Sequence, residues 1–245
     1  MAASVPPSPS GSASGPAIAD RLADLTVVVP HGLGADSRSA IAYYLLRDLV
    51  VTLELAPGAP LNERSLMDRL ELGRTPVREA LRRLADESLV TIFPRRGMVV
   101  APIHVHDLTS ISEVRVELEG MAARLAARRR DESDRQAAQE LLSELASGEG
   151  GGDQRSLIRM DQRVHQLVHR ATHNDYLQHT LTEYLSLSLR LWFLGLRQVR
   201  RLDEAVDTHR GLLTAVIDGD AEAAEVAAHS HVTGFWQEIR RVLSI

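Results

Sequence analysis

Residues 74–84, RTPVREALRRL, admit few folds. Arg74, Arg78 and Arg82 recur at four-residue spacing, and residues four apart share one helical face. Val77, Leu81 and Leu84 fall on another side, at the spacing of a buried stripe. Such a helix buries one face on its neighbours and turns the other toward solvent or something negative. The flanking sequence supplies those neighbours. RSAIAYYLLRDLVVTLEL reads as a helix over about 38–54, before Pro57-Gly58 breaks the chain. LNERSLMDRL reads as a second, short helix with Asn62 in capping position. LVTIF and MVVA, joined by Pro94-Arg95-Arg96-Gly97, read as a β-hairpin with a basic tip. Three helices followed by a two-stranded hairpin make a winged helix-turn-helix module over residues 38–103.

Beyond Pro102 the pattern is helical throughout, and the fold class is mainly α. Helices are expected near 106–130, 132–146, 154–172, 175–198, 202–218 and 221–243. The breaks fall at Gly148–Gly152, His173-Asn174 and Asp218-Gly219-Asp220. Residues 104–245 therefore form an all-α bundle of about six helices. At the other end, MAASVPPSPSGSASGP is too poor in large apolar residues to order itself, so residues 1–37 are expected to be a disordered tail.

Charge separates the two parts. All 28 basic residues are Arg, and a net charge of −5 argues against indiscriminate nucleic-acid binding. Residues 38–103 hold ten Arg and eight acids, a net of +2, whereas 104–245 hold seventeen Arg and twenty-two acids, a net of −5. Residues 74–96 concentrate the basic excess, with six Arg against three acids. The absence of Cys excludes disulfides, thiolate metal sites and thiol nucleophiles. No apolar run approaches the ~20 residues that span a bilayer, and the start lacks a charged-then-apolar signal pattern. The expected location is cytoplasmic, with no membrane partner.

In a helix-turn-helix the second helix enters the major groove, and its first residues meet bases and phosphates. Arg74 and Thr75 stand at that first turn, Pro76 is tolerated there because early amides lack partners, and Arg78 lies one turn deeper. The planar fork of Arg grips guanine edges or phosphates with two bonds. Arg95, Arg96 and Gly97 form the wing tip, where Gly permits close backbone approach to a duplex. The stretch LNERSLMDRLELGRTPVREALRRLADESLVTIFPRRGMVVAPI resembles the DNA-binding domain of GntR-family transcriptional regulators, over about residues 38–103. The resemblance implies that Arg64, Arg74, Thr75, Arg78, Arg96 and Gly97 contact operator DNA. Two positions depart from the family pattern. Glu71 stands where the inter-helix turn usually has Gly, and Gly73 stands where the reading helix is usually capped by Ser.

The bundle carries a second constellation. MDQRVHQLVHR places Asp161 and His165 four apart on one helical face, DTHRGLL supplies His209, and AHSHV supplies His231. His209 lies nine residues before Asp218, and His231 eleven after Asp220, so an antiparallel hairpin brings both to similar heights. Three helices can then converge on one cation. A lone His is more often hydrogen-bonded or exposed than a ligand, and His31, His104, His106, His173 and His179 are read that way. His169 is helically offset from Asp161 and His229 faces away from His231, so neither joins the set.

Residues 104–243 resemble the FCD-type ligand-binding domain of the FadR subfamily. Its signature, an Asp-x-x-x-His pair, a His after an acidic helix start and a last-helix His, falls on Asp161, His165, His209 and His231. Val164 stands where an aromatic residue is usual. Arg115, in EVRVELEG, matches the family arginine that faces the effector. Three imidazoles and a carboxylate suit Zn²⁺, Ni²⁺ or another borderline divalent cation. Such a centre keeps positive charge for an effector carboxylate, with Arg115 on its other oxygens. The family implies small organic acids. The expected function is a metabolite-responsive transcriptional regulator, a repressor that binds operator DNA as a homodimer. Two alternatives remain: a metallohydrolase, for which no His-Glu-x-x-His arrangement exists, and a closed structural metal site. The chain is not expected to be an enzyme.

Overall fold

The computed structural model describes residues 18–30, 37–147, 153–195 and 202–243. Helix α1 spans Ile18–Ala23, and helix α2 spans Arg38–Val51. Ser37 starts α2 by accepting the Ala40 N–H at 3.1 Å. From Ile41 to Val51 every residue of α2 is buried, Arg47 and Asp48 included, as befits a helix enclosed on all sides. The two-residue strand β1 (Pro60–Leu61) leads into α3 (Glu63–Leu70), where Asn62 accepts the Ser65 N–H at 3.1 Å. Helix α3 ends on Glu71 at φ 55° and ψ 38°. That left-handed backbone costs a non-Gly residue roughly 1–2 kcal/mol. Glu71 bears that strain.

Helix α4 (Arg74–Asp86) starts at Gly73, which offers no capping side chain, and buries Val77, Ala80, Leu81 and Leu84 against α2. Strands β2 (Val90–Phe93) and β3 (Gly97–Val100) pair antiparallel from Val90↔Val100 to Phe93↔Gly97. The expected hairpin gains β1 on its other edge, giving the order β1-β3-β2. Two residues show no alternation, and Pro60 is a residue that only an edge accepts, so the sequence did not announce this strand.

The bundle comprises α5 (Val105–Arg129), α6 (Glu132–Ser147), α7 (Gln154–Ala171), α8 (Asp175–Gly195), α9 (Leu202–Asp218) and α10 (Ala221–Leu243). Helix α5 is the spine and packs against α7, α8, α9 and α10. A Cβ on Gly120 would lie 2.0 Å from His229 Nε2, so a larger residue there would force the His229 side chain to move. Gly219, at φ 78°, turns α9 into α10, and Asp220 caps α10 by accepting the Ala223 N–H at 3.0 Å.

The expected tail is corrected for residues 18–30. Leu25 and Val27 are buried, and the segment after α1 straps α2 to α7. Val27 N–H donates to Asp48 Oδ1 at 2.6 Å, and Arg47 Nη2 donates to Val28 O at 2.8 Å, both on α2. On α7, Gln162 accepts from Val28 N–H and donates to Thr26 O, each at 2.9 Å, while Gln166 donates to Val28 O at 3.0 Å. Composition argues disorder for the Pro/Ser-rich opening, but LTVVV over residues 25–29 has apolar side chains worth burying. Residues 1–17 and 31–36 of the expected tail lie outside the described residues. The modules are joined by packing as well. One apolar cluster runs from Tyr44 and Leu46 of α2 to Leu185 and Trp192 of α8 and Ile239 of α10.

Candidate DNA interface and buried histidine cluster

The α4 stripe is exposed as the spacing required. Arg74 and Arg78 have side chains 70% and 52% accessible, and Arg64, Thr75, Arg82, Arg96 and Gly97 are also exposed. The two stripe arginines share one carboxylate. Arg78 Nε lies 2.9 Å from Glu63 Oε1, and Arg74 Nε 3.4 Å from Glu63 Oε2. Burial favours the protonated form of Glu63, but Arg78 and Arg74 outweigh it and lower its pKa. Sequence reasoning missed this partner, although Asn62 capping puts residue 63 at the start of α3, beside α4. Arg83 leaves the basic excess: its guanidinium lies 3.7 Å from the Tyr43 ring centroid and its Nε 3.1 Å from Glu87. Ile92 and Phe93 stand exposed at the wing, beside Arg95 and Arg96.

In the bundle, α7, α9 and α10 bring Asp161, His165, His209 and His231 together. One ligand atom from each lies within 4.8 Å of the others. Asp161 Oδ1 is 3.2 Å from His209 Nε2, 3.5 Å from His231 Nε2 and 3.8 Å from His165 Nε2. The three imidazoles are buried. Burial, and then His209, push the His231 pKa down to about 4, leaving that ring neutral. Burial alone would raise the Asp161 pKa, but His165, His209 and His231 hold it well below the usual carboxylate range.

Behind these four stands a layer that the sequence did not disclose. Glu119 of α5 accepts from His165 Nδ1 at 3.1 Å and from His169 Nε2 at 2.9 Å, and its other oxygen accepts from Arg115 Nη2 at 2.8 Å. His169, set aside on helical offset, is thus buried beside the cluster and contacts its orienting carboxylate. His169 points at Glu119, and Glu119, His165 and His169 make a second close group of possible ligands. Thr208 Oγ1 lies 2.8 Å from His231 Nδ1 and fixes that ring in the same manner. Arg115 is buried against Glu119, with its Nε lacking a partner among the described residues. The other single histidines are held as expected, His173 by Asp134, His179 by Glu183 and His106 by Asp107.

The gntR family profile of bacterial regulatory proteins matches residues 39–100, and the FCD domain profile matches residues 110–234. The chain belongs to the GntR family. Two relatives support the assignment along most of their length. The "Uncharacterized HTH-type transcriptional regulator in unstable DNA locus" of Streptomyces ambofaciens is 33% identical over 82% of this chain and 84% of its own. The "Probable D-xylose utilization operon transcriptional repressor" of Paenarthrobacter nicotinovorans is 31% identical over 78% of this chain and 85% of its own. The fold is shared with E. coli McbR/YncC, at a TM-score of 0.71 and 24% identity over 85% of this chain and 98% of that one. This GntR-family protein is accordingly a DNA-binding transcriptional regulator and not an enzyme, with an FCD domain as its second module. No described helix is long and apolar enough to cross a membrane.

The histidine cluster of this GntR regulator fits a divalent cation on its own geometry. With its Nδ1–H donating to Glu119, a neutral His165 would turn the lone pair of Nε2 toward the cluster. That Nε2 faces His231 Nε2 at 3.2 Å. Neither nitrogen of His209 makes a well-aligned hydrogen bond among the described residues, its Nε2 meeting Asp161 only at the 3.2 Å contact. Buried polar atoms without partners are rare because desolvation is costly. Glu119 and Asp161 overcome burial and raise the His165 pKa, so the site favours positive charge at that ring. A cation at Nε2 would supply that charge and satisfy His209 as well. Metal-ligating histidines typically donate their other N–H to a carboxylate, as His165 does to Glu119.

Proposed function

We propose that this regulator is a metabolite-responsive repressor whose bundle holds a divalent cation and a small organic acid. The cation, Zn²⁺ or Ni²⁺ by donor chemistry, lies on Asp161, His165, His209 and His231. When bound, it supplies positive charge for an effector carboxylate. Arg115 lines the adjoining space and offers its partnerless Nε to the same carboxylate. Arg64, Arg74, Thr75, Arg78, Arg96 and Gly97 form the operator-reading surface, on DNA contacted by a homodimer in the cytoplasm. The single observation that carries the reading is the convergence of three buried imidazole nitrogens on one carboxylate oxygen, beside a buried arginine. The repressor sense is supported by the relative from Paenarthrobacter nicotinovorans, named as a repressor.

Operator binding of the full chain, titrated with a panel of small organic acids before and after chelation, tests the reading. Chelation is expected to abolish the acid response and to leave operator binding in place. A closed structural metal would instead give an acid response that is insensitive to metal, or loss of the fold on chelation. Sedimentation showing only monomer at micromolar concentration, with operator present, would overturn the homodimer.

A further inference from the structure

The space beside the histidine cluster is too small for any acid. Arg115, Asp161, His165, His231 and Phe235 border a cavity of about 10 Å³, room for roughly one water. A second cavity of the same size shares Arg115, Ser188, Val232 and Phe235 with it and is closed by Ile111 and Leu191. Those two residues also line a third space, of about 470 Å³, between the DNA-reading module and the bundle. The three spaces therefore lie in series, with Ile111 and Leu191 as the apolar partition. Ile111 is one helical turn from Arg115 along α5 and Asp107 is two turns away, so the series extends on the order of 10 Å.

The large cleft has a chemistry of its own. Arg190 lies in its wall and is 3% exposed. Its Nη2 donates to Ala101 O at 2.6 Å, while its Nε is buried without a partner among the described residues. Burial pushes its pKa down to about 10. A guanidinium left this way needs an acceptor. Opposite signs stand nearby: Glu183 and Asp107 line the same cleft, and each, held through one oxygen by an exposed histidine, has a second oxygen that can accept. Glu87, also in the wall, is already occupied by Tyr43 and Arg83. A second carboxylate would suit Arg190 but be repelled by these acids. A neutral group that both accepts and donates, such as a hydroxyl or carboxamide, suits the whole wall.

We infer that the cleft is the distal half of the effector site, and that it takes the hydroxyl- or amide-bearing far end of an elongated carboxylic acid whose carboxylate lies at Arg115 and the histidine cluster. The inference rests on the proposed acid-binding role of that cluster. The acid's apolar middle passes between Ile111, Leu191 and Phe235, which turn aside to admit it. Its far end touches Asp86, Glu87 and Ser88, where α4 ends and the wing begins. An occupant of this shape contacts the effector bundle and the DNA-reading helix at once, so its binding energy differs directly between arrangements of the two modules.

The test uses zinc-loaded full-length protein and calorimetry with n-alkanoates and ω-hydroxyalkanoates of three to ten carbons. Long ω-hydroxy acids are expected to bind at least tenfold more tightly than propionate and than alkanoates of equal length. S110W, which plugs the cleft from an exposed wall position, should erase that advantage and leave propionate binding unchanged. E183Q should reduce the hydroxyl advantage alone, and serves if S110W does not fold. Chelator-sensitive binding of short acids with no gain from length or hydroxyl would overturn this inference and leave the proposed function standing. An advantage that survives both S110W and E183Q would overturn it too. If no acid of any length binds in a chelator-sensitive way, both readings fall.

Discussion

Arg74 and Arg78 share Glu63 in contact with solvent, whereas Asp161 is mostly enclosed and its three imidazoles are buried. Both are groups of charged or polar side chains gathered at short range, yet their surroundings give them opposite properties. An exposed pair is worth about 0–1 kcal/mol, so Glu63 can be exchanged for a phosphate at little cost. The interior cluster has no water to turn to, and its partnerless nitrogens favour a resident ion. Rapid exchange of partners suits a reading surface. Slow exchange would suit the sensor centre proposed for the bundle.

Four substitutions probe that contrast, beginning with the largest expected effect. His165→Ala removes a buried ligand and exposes Glu119 and Asp161 to each other; metal affinity should fall by at least about a hundredfold, more than second-layer changes cost. Metal content after dialysis measures it. Operator binding without effector should persist, while the acid response disappears. Stoichiometric metal in this variant would remove the cluster from the proposal. Next, Arg78→Ala should cost about 1–3 kcal/mol of operator affinity per half-site without changing thermal stability. A gel shift within twofold of wild type would show that the exposed stripe does not read DNA.

The strap links the two regions and should give an intermediate effect. Gln162→Ala deletes two hydrogen bonds to residues 26–28 and leaves their polar groups buried, at a cost of about 1–3 kcal/mol in stability. Denaturant unfolding reads this loss. An unchanged midpoint would mean that the strap lies idle between α2 and α7. The smallest effect is expected for Glu63→Gln, which frees both stripe arginines and should raise operator affinity two- to fourfold, in keeping with a surface pair of about 0.5 kcal/mol. A drop in affinity would instead make Glu63 a part of the reading geometry.

Much of this was legible beforehand because it depends on local rules. Asn62 and Ser37 cap as their side chains allow, Gly219 turns where a left-handed residue is needed, and the six bundle helices follow the apolar period. The juxtaposition of His209 and His231 was readable too, since a hairpin of two helices converts sequence distance into height. Asp161 and His165 required only one turn of helix. Glu71 marked in advance where the inter-helix turn departs from pattern, and it adopts a left-handed backbone there.

Other features had no local trace. The β1 strand exists only because β3 offers it a ladder. Residues 24–30 are ordered by side chains that lie up to 138 positions away, which no composition argument about a tail can foresee. Glu119 looks in sequence like the i+4 partner of Arg115, and it is that, but its second oxygen holds His165 and His169 because α5 packs on α7. The sequence by itself determined the helices, the stripe and the four candidate ligands, since each follows from periodicity or spacing within one element or one hairpin. Tertiary structure alone decided which side chains orient those ligands, where the strap runs and that three cavities lie in a row. Those depend on distances between helices, and packing sets such distances only when the whole chain is folded.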